Sequence, residues 1–162
     1  MNTNIPTPDN STIKGNQFLI KRGEYIISSS LMLQEALNIA SYYAQNDNLL
    51  SFISDQEQQV GNFRKTVCSI SEDILGSDLS VCSQNINDSI FASNHSQSST
   101  EKDMVIKSWL SHKYKLYTIK LSKILEENDL PSALLELVDI EEKRAISVKD
   151  AYLNTQDDAV AA

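Results

Sequence analysis

The amino-acid sequence predicts an all-α fold: a four-helix bundle of two helix hairpins with a long crossover between the second and third helices. Three observations predict it. Apolar residues recur at steps of three and four along four long stretches, the period of one helix face. Glycine and proline are scarce: residues 24–60 and 77–130 contain neither, whereas a sheet of that length would need turns built from them. The one long stretch without strong periodicity, 76–101, lies between the second and third helical stretches, and a connection of that length can return the chain to the far end of a bundle.

Residues 1–17 are polar, carry Pro6, Pro8, Asp9 and Asn10, and are expected to form a disordered tail. They lack the basic start and apolar run of a signal peptide. The first helix is expected over 18–46, with Ile26, Leu33, Leu37, Ala40 and Ala44 as its stripe, Ser30 as the one polar member, and Gly23 fraying or kinking its start. Met32, Ala36, Ile39 and Tyr43 widen the stripe, as a helix facing two neighbours requires. Asn46, Asp47 and Asn48 supply closing and capping residues. The second helix, 48–75, has the strongest pattern: Leu49, Ile53, Gln56, Val60, Phe63, Val67, Ile70 and Ile74, with Gln56 its only polar member. Gly61 inside it is either tolerated at a cost of about 1 kcal/mol against Ala or permits close packing. Gly76 follows as a stop.

The crossover, 76–101, is rich in Ser and Asn, and Leu79, Cys82, Ile86 and Ile90 are spaced for one short amphipathic helix within it. The third helix, 102–128, shows Ile106, Leu110, Tyr117, Leu121 and Ile124, with Trp109 and Tyr114 beside them. The fourth, 130–154, opens with Pro131 in its first turn, where a missing N–H costs nothing, and carries Leu134, Val138, Glu141, Ala145, Val148 and Tyr152. A frayed tail, 155–162, closes the chain. The expected core includes Val60, Phe63, Val67, Tyr117, Leu121, Val138 and Val148.

The two halves match in step. Aligning Leu49 with Leu134 sets Ile53 on Val138, Gln56 on Glu141, Val60 on Ala145 and Phe63 on Val148, so the single polar stripe member falls at the same place in each half. An Asn-Asp turn precedes each second helix. The pattern points to a duplicated hairpin.

The net charge of −8 argues against nucleic acid or an anionic membrane as partner, because an acidic surface repels phosphates. No window approaches the 18 apolar residues of a membrane span. The two cysteines, Cys68 and Cys82, form no CxxC or zinc pattern. They read as free thiols of a reducing, cytoplasmic compartment; the alternative is a disulfide tying the crossover to the second helix. No Ser sits in a Gly-x-Ser-x-Gly turn and no Gly-rich phosphate loop is present.

Two similar hairpins joined by a long crossover resemble the ferritin-like superfamily, and residues 24–153 look most like the rubrerythrin-like four-helix bundles of bacteria. The most specific stretch is 117–150, where Asn128-Asp129-Leu130-Pro131 opens a helix reading Leu134-Leu135-Glu136-Leu137-Val138-Asp139-Ile140-Glu141-Glu142-Lys143-Arg144-Ala145. The resemblance implies a pattern of metal ligands: one Glu from a helix of each hairpin and a Glu-x-x-His from the other helix. Here those positions read Glu57-Gln58-Gln59-Val60 and Glu142-Lys143-Arg144-Ala145, with Glu35 as the carboxylate of the first helix and Tyr117 as its counterpart in the third. Both imidazoles and one carboxylate are replaced, so no tight di-iron site is expected and no cofactor is predicted.

Glu35, Glu57 and Glu142 remain the candidate metal residues, with iron or another divalent metal as the alternative. Set against that, Glu57 and Glu142 read as half-solvated charges at the edge of the stripe. Gln56 and Glu141 read as polar core residues that set register, and Tyr42, Tyr43, Tyr114 and Tyr117 as packing aromatics. His95 and His112 lack a partner at ligand spacing. The functional expectation is a non-enzymatic bundle acting through its surface, in stress or in assembly, with a protein partner or a second copy. The alternatives are a metal-binding ferritin-like protein and a small acidic helical chaperone or adaptor.

Overall fold

The computed structural model describes residues 10–75 and 99–154, which form four α-helices and no strand. Helix α1 is Asn10–Tyr43, α2 Asp47–Leu75, α3 Ser99–Glu127 and α4 Ser132–Val148, and α4 runs into a π-helical turn, Lys149–Leu153. Helix α1 packs against α2 and α3, and α4 packs against the same two, so α1 and α4 are diagonal in a four-helix bundle. The predicted crossover (76–98 of it, with Cys82, His95 and the short amphipathic helix), residues 1–9 and the tail 155–162 lie outside the described residues. Among those described, no helix is long and apolar enough to cross a membrane.

The apolar stripes meet in one core. Ile26, Leu37, Ala40, Ile53, Val60, Val67, Leu110, Leu121, Ile124, Val138 and Ala145 are all completely buried. Six of the seven residues expected in the core are buried; Val148 is only half-buried, packed against the edge of the core where α4 passes into the turn that follows it. A π turn inserts one residue into the helical register. The stripe therefore moves from position 152 to 153: Leu153 is buried, while Tyr152 is half-buried and stacks on Phe52 with ring centroids 3.9 Å apart.

Helix boundaries follow local chemistry. Asn46 Oδ1 accepts the backbone N–H groups of Asn48 and Leu49 (2.8 and 3.2 Å), satisfying donors at the start of α2. The carboxylate of Asp103, in the first turns of α3, accepts the N–H groups of Gln45 and Asn46 (3.0 and 2.9 Å) and so fastens the α1–α2 turn to the second hairpin. At the opposite end Asn128 adopts the left-handed conformation (φ 49°), which Asn tolerates better than most residues. Pro131 stands at the N-cap of α4, one position before the first turn predicted for it, and its carbonyl accepts the N–H groups of Leu134 and Leu135. Arg22 joins α1 to this turn through Glu127 and Asp129.

Helix α1 begins at Asn10, inside the stretch expected to be a tail, and ends at Tyr43, three residues before the predicted 46. It runs through Gly23 without interruption. Residues 10–17 carry too few apolar side chains for periodicity to reveal a helix there. Tyr42, expected to pack, is 83% exposed, because Ala40 and Ala44 hold the core side of that turn.

Candidate functional site

One polar network interrupts the apolar core midway along the bundle. Helix α2 brings Gln56 and Gln59, α3 brings Tyr114 and Tyr117, and α4 brings Glu141 and Arg144. The paired spacings 56/59 and 141/144 place each couple on one helix face, and the same step of three separates Tyr114 from Tyr117.

The Tyr117 hydroxyl donates to Glu141 Oε2 at 2.8 Å, and Arg144 Nε donates to Glu141 Oε1 at 2.5 Å. Gln56 Oε1 accepts from the Tyr114 hydroxyl (2.8 Å) and from Arg144 Nη1 (2.7 Å), which also donates to Gln59 Oε1 at 2.9 Å. Gln56 and Glu141 are each 3% exposed and Tyr114 and Tyr117 are buried. Arg144 Nη2 is buried and has no hydrogen-bond partner among the described residues.

The charges close on themselves. A buried carboxylate is costly unless paired and hydrogen-bonded, and Glu141 has both oxygens engaged and a guanidinium against one of them. Burial pushes both phenols up, and the nearby Glu141 charge raises them further, while Arg144 pulls the other way. Both therefore stay protonated and serve as donors. Burial alone would lower the Arg144 guanidinium, but the hydrogen bond and charge of Glu141 outweigh it and the net direction is up.

This arrangement does not fit a pair of metal ions. Hard divalent metals want several free carboxylates and, in the di-iron bundles of the ferritin-like superfamily, imidazoles. The centre holds one carboxylate already bound to Arg144 and Tyr117, two amides, two protonated phenols and a fixed cation. At the positions where the resemblance implies imidazoles, Val60 and Ala145 are completely buried apolar residues. Among the described residues no group of three or more His, Cys, Asp or Glu is placed to hold a metal ion.

The three candidate carboxylates do not converge. Glu35 and Glu57 line one open groove with Leu31, Gln34, Asn38 and Arg64. Glu57 is half-buried there, with Oε1 buried and lacking a hydrogen-bond partner among the described residues, and burial raises its pKa. Glu142 sits elsewhere, half-buried among Asp139, Lys143 and Glu126; its pKa is raised by burial first and then by the neighbouring carboxylates. His112 is exposed on α3.

Gln56 and Glu141, read from the sequence as polar core residues, are the centre of the network. Tyr114 and Tyr117 pack as expected, but they are also its donors. Apolar periodicity singles out neither Gln59 nor Arg144. A signal was present: the alignment that pairs Gln56 with Glu141 also pairs Gln59 with Arg144, a second polar match one helical turn further on. The chain matches no protein-family model, no curated protein and no solved structure.

Proposed function

We propose that this chain is a ferritin-like bundle, close to the rubrerythrin-like proteins of bacteria, in which an internal ion-pair network stands at the level of the metal centre. On this reading it is a non-enzymatic cytoplasmic protein that acts through its surface, in stress or in assembly. The observation that carries the reading is Arg144: its guanidinium bonds Glu141, Gln56 and Gln59 from within the core, and a fixed cation there opposes the binding of divalent metal by Coulomb repulsion at short range. The matching of the two hairpins supports the fold assignment, and the net charge of −8 supports a protein rather than nucleic acid or membrane as partner.

Metal content tests it. The protein is expressed with iron supplied, purified without chelator, and its metal counted per chain. The expected result is far below one iron per chain. Near-stoichiometric iron that disappears in a Glu57→Ala/Glu142→Ala double variant would overturn the reading and restore an oxidase or storage function.

A further inference from the structure

Helix α3 departs from the electrostatics of the rest of the chain. Between Asp103 and Glu126 it carries five lysines and no carboxylate, in a protein of net charge −8. Lys107 lies over the Tyr152 ring at 4.7 Å and Lys113 over the Trp109 ring at 5.4 Å. Lys120 Nζ contacts Met32 Sδ at 3.1 Å. Lys115 and Lys123 are exposed and make no ion pair with any described residue. Between them, one turn from each, Ile119 is 54% exposed.

Lys113 and Lys120 also face a crevice between α1 and α3 whose other lining residues are Ser29, Met32, Leu33, Leu116 and Tyr117, with no carboxylate among them. The crevice has room for about one water (≈ 20 Å³), so a partner lies across this side rather than inserting into it. Burial lowers the Lys120 pKa, and the like charge of Lys113 lowers it further. The five lysines thus form a basic stretch that ends one turn beyond Lys123, at Glu126 and Glu127.

We infer that the outer side of α3, with Lys115, Ile119 and Lys123 at its centre and Lys113 and Lys120 at its α1 edge, docks an acidic amphipathic helical segment of a partner protein. Charge complementarity selects an anionic partner, and Ile119 selects one with an apolar residue at the middle of its contact. Size selects a short segment. From His112 to Lys123 the stripe spans about 16 Å at 1.5 Å per residue. A nucleic acid strand or a membrane would extend beyond it onto the acidic remainder of the surface, well within reach of repulsion at a screening length of about 10 Å. A helical segment of about a dozen residues ends where the stripe ends. This inference rests on the reading that the bundle acts through its surface, and it names the side and the chemistry of the partner.

The test is fluorescence anisotropy with the full chain and a labelled 12-residue peptide, rich in Glu with Leu at every third or fourth position. The expected result is binding at low salt that weakens steeply as salt is raised. It should fall on the order of tenfold in Lys115→Glu/Lys123→Glu, since reversing two charges removes about 1.4 kcal/mol or more. It should be retained in Lys115→Arg/Lys123→Arg and weakened in Ile119→Ser. All three substituted side chains are exposed, and an unchanged helical circular dichroism spectrum verifies the fold. Absence of binding, binding indifferent to the charge reversal, or tighter binding of a 20-nucleotide single strand or of phosphatidylserine vesicles overturns the docking surface. The iron count decides the metal-free reading independently, so a failure of one is distinguishable from a failure of the other.

Discussion

Tyr117 on α3 donates its hydroxyl proton to Glu141 on α4 across 2.8 Å, with both side chains at least 97% buried. On the proposed ferritin-like reading, Tyr117 stands where a carboxylate ligand would be expected; in this bundle its phenol satisfies Glu141, which is the one fully buried carboxylate among the described residues. Hydrogen bonds to charged acceptors are worth about 1.5–3 kcal/mol. Tyr117→Phe keeps the ring and removes the donor, so it should lower unfolding stability by about that amount in a urea titration. A change below about 0.5 kcal/mol would show that Arg144 alone satisfies Glu141.

The Glu141–Arg144 pair should behave asymmetrically under mutation. Removing one partner leaves an uncompensated charge in or near the core, which costs about 3–5 kcal/mol, whereas replacing both with apolar residues of similar size is often neutral or stabilising. Arg144 keeps some solvent contact (its side chain is 22% exposed), which reduces the figure for the variant that strands it. The expected order of stability is the parent highest, Glu141→Leu/Arg144→Met below it because the buried Tyr117 hydroxyl loses its acceptor, and Arg144→Met lowest of the three. Chemical denaturation of the four proteins forms a complete double-mutant cycle, and strict additivity would contradict the pairing.

Stability should fall at alkaline pH through the two buried phenols. Their folded pKa values are raised above the unfolded value of about 10. Below pH 10 both states hold the protons and this contribution is fully present. Above it the unfolded chain releases protons that the folded chain retains, so stability drops with rising pH until the folded phenols themselves ionise. Each phenol contributes a slope of up to about 1.36 kcal/mol per pH unit in that window. Urea titrations at pH 8 to 11 should show a steeper fall for the parent protein than for Tyr114→Phe/Tyr117→Phe. Equal slopes would place the ionising groups elsewhere.

Much of the bundle was legible because a helix face repeats every 3.6 residues and a buried face must be apolar. Leu49 through Val67 could be read as core for that reason, and the interruption at Gln56 could be read as a buried polar group. Three things were not legible. The π turn at Lys149–Leu153 shifts the register without any change in composition, so Tyr152 was read where Leu153 lies. Asp103, which ties two hairpins through backbone N–H groups 57 and 58 residues away, carries no local signature of that partnership. The network around Arg144 was half-visible: its members at 56 and 141 stood out because they broke an apolar stripe, whereas Gln59 and Arg144 lie at the edge of the stripe, where polar residues are ordinary.

Gly61 gives the last prediction, because the sequence left two readings open and the geometry chooses between them. It lies inside α2, half-buried, and a Cβ built on it meets no atom within 4 Å. Close packing therefore does not require the glycine. In a helix interior Gly is less favourable than Ala by about 0.8–1 kcal/mol, in part because it leaves the unfolded chain more conformational freedom. Gly61→Ala should stabilise the protein by about that amount and raise its melting temperature by about 2–4 °C for a chain of this size. Thermal unfolding followed at 222 nm measures the shift. A lower melting temperature would mean that this surface of α2 is covered by something the described residues do not include, such as a partner or a second copy approaching close to the backbone.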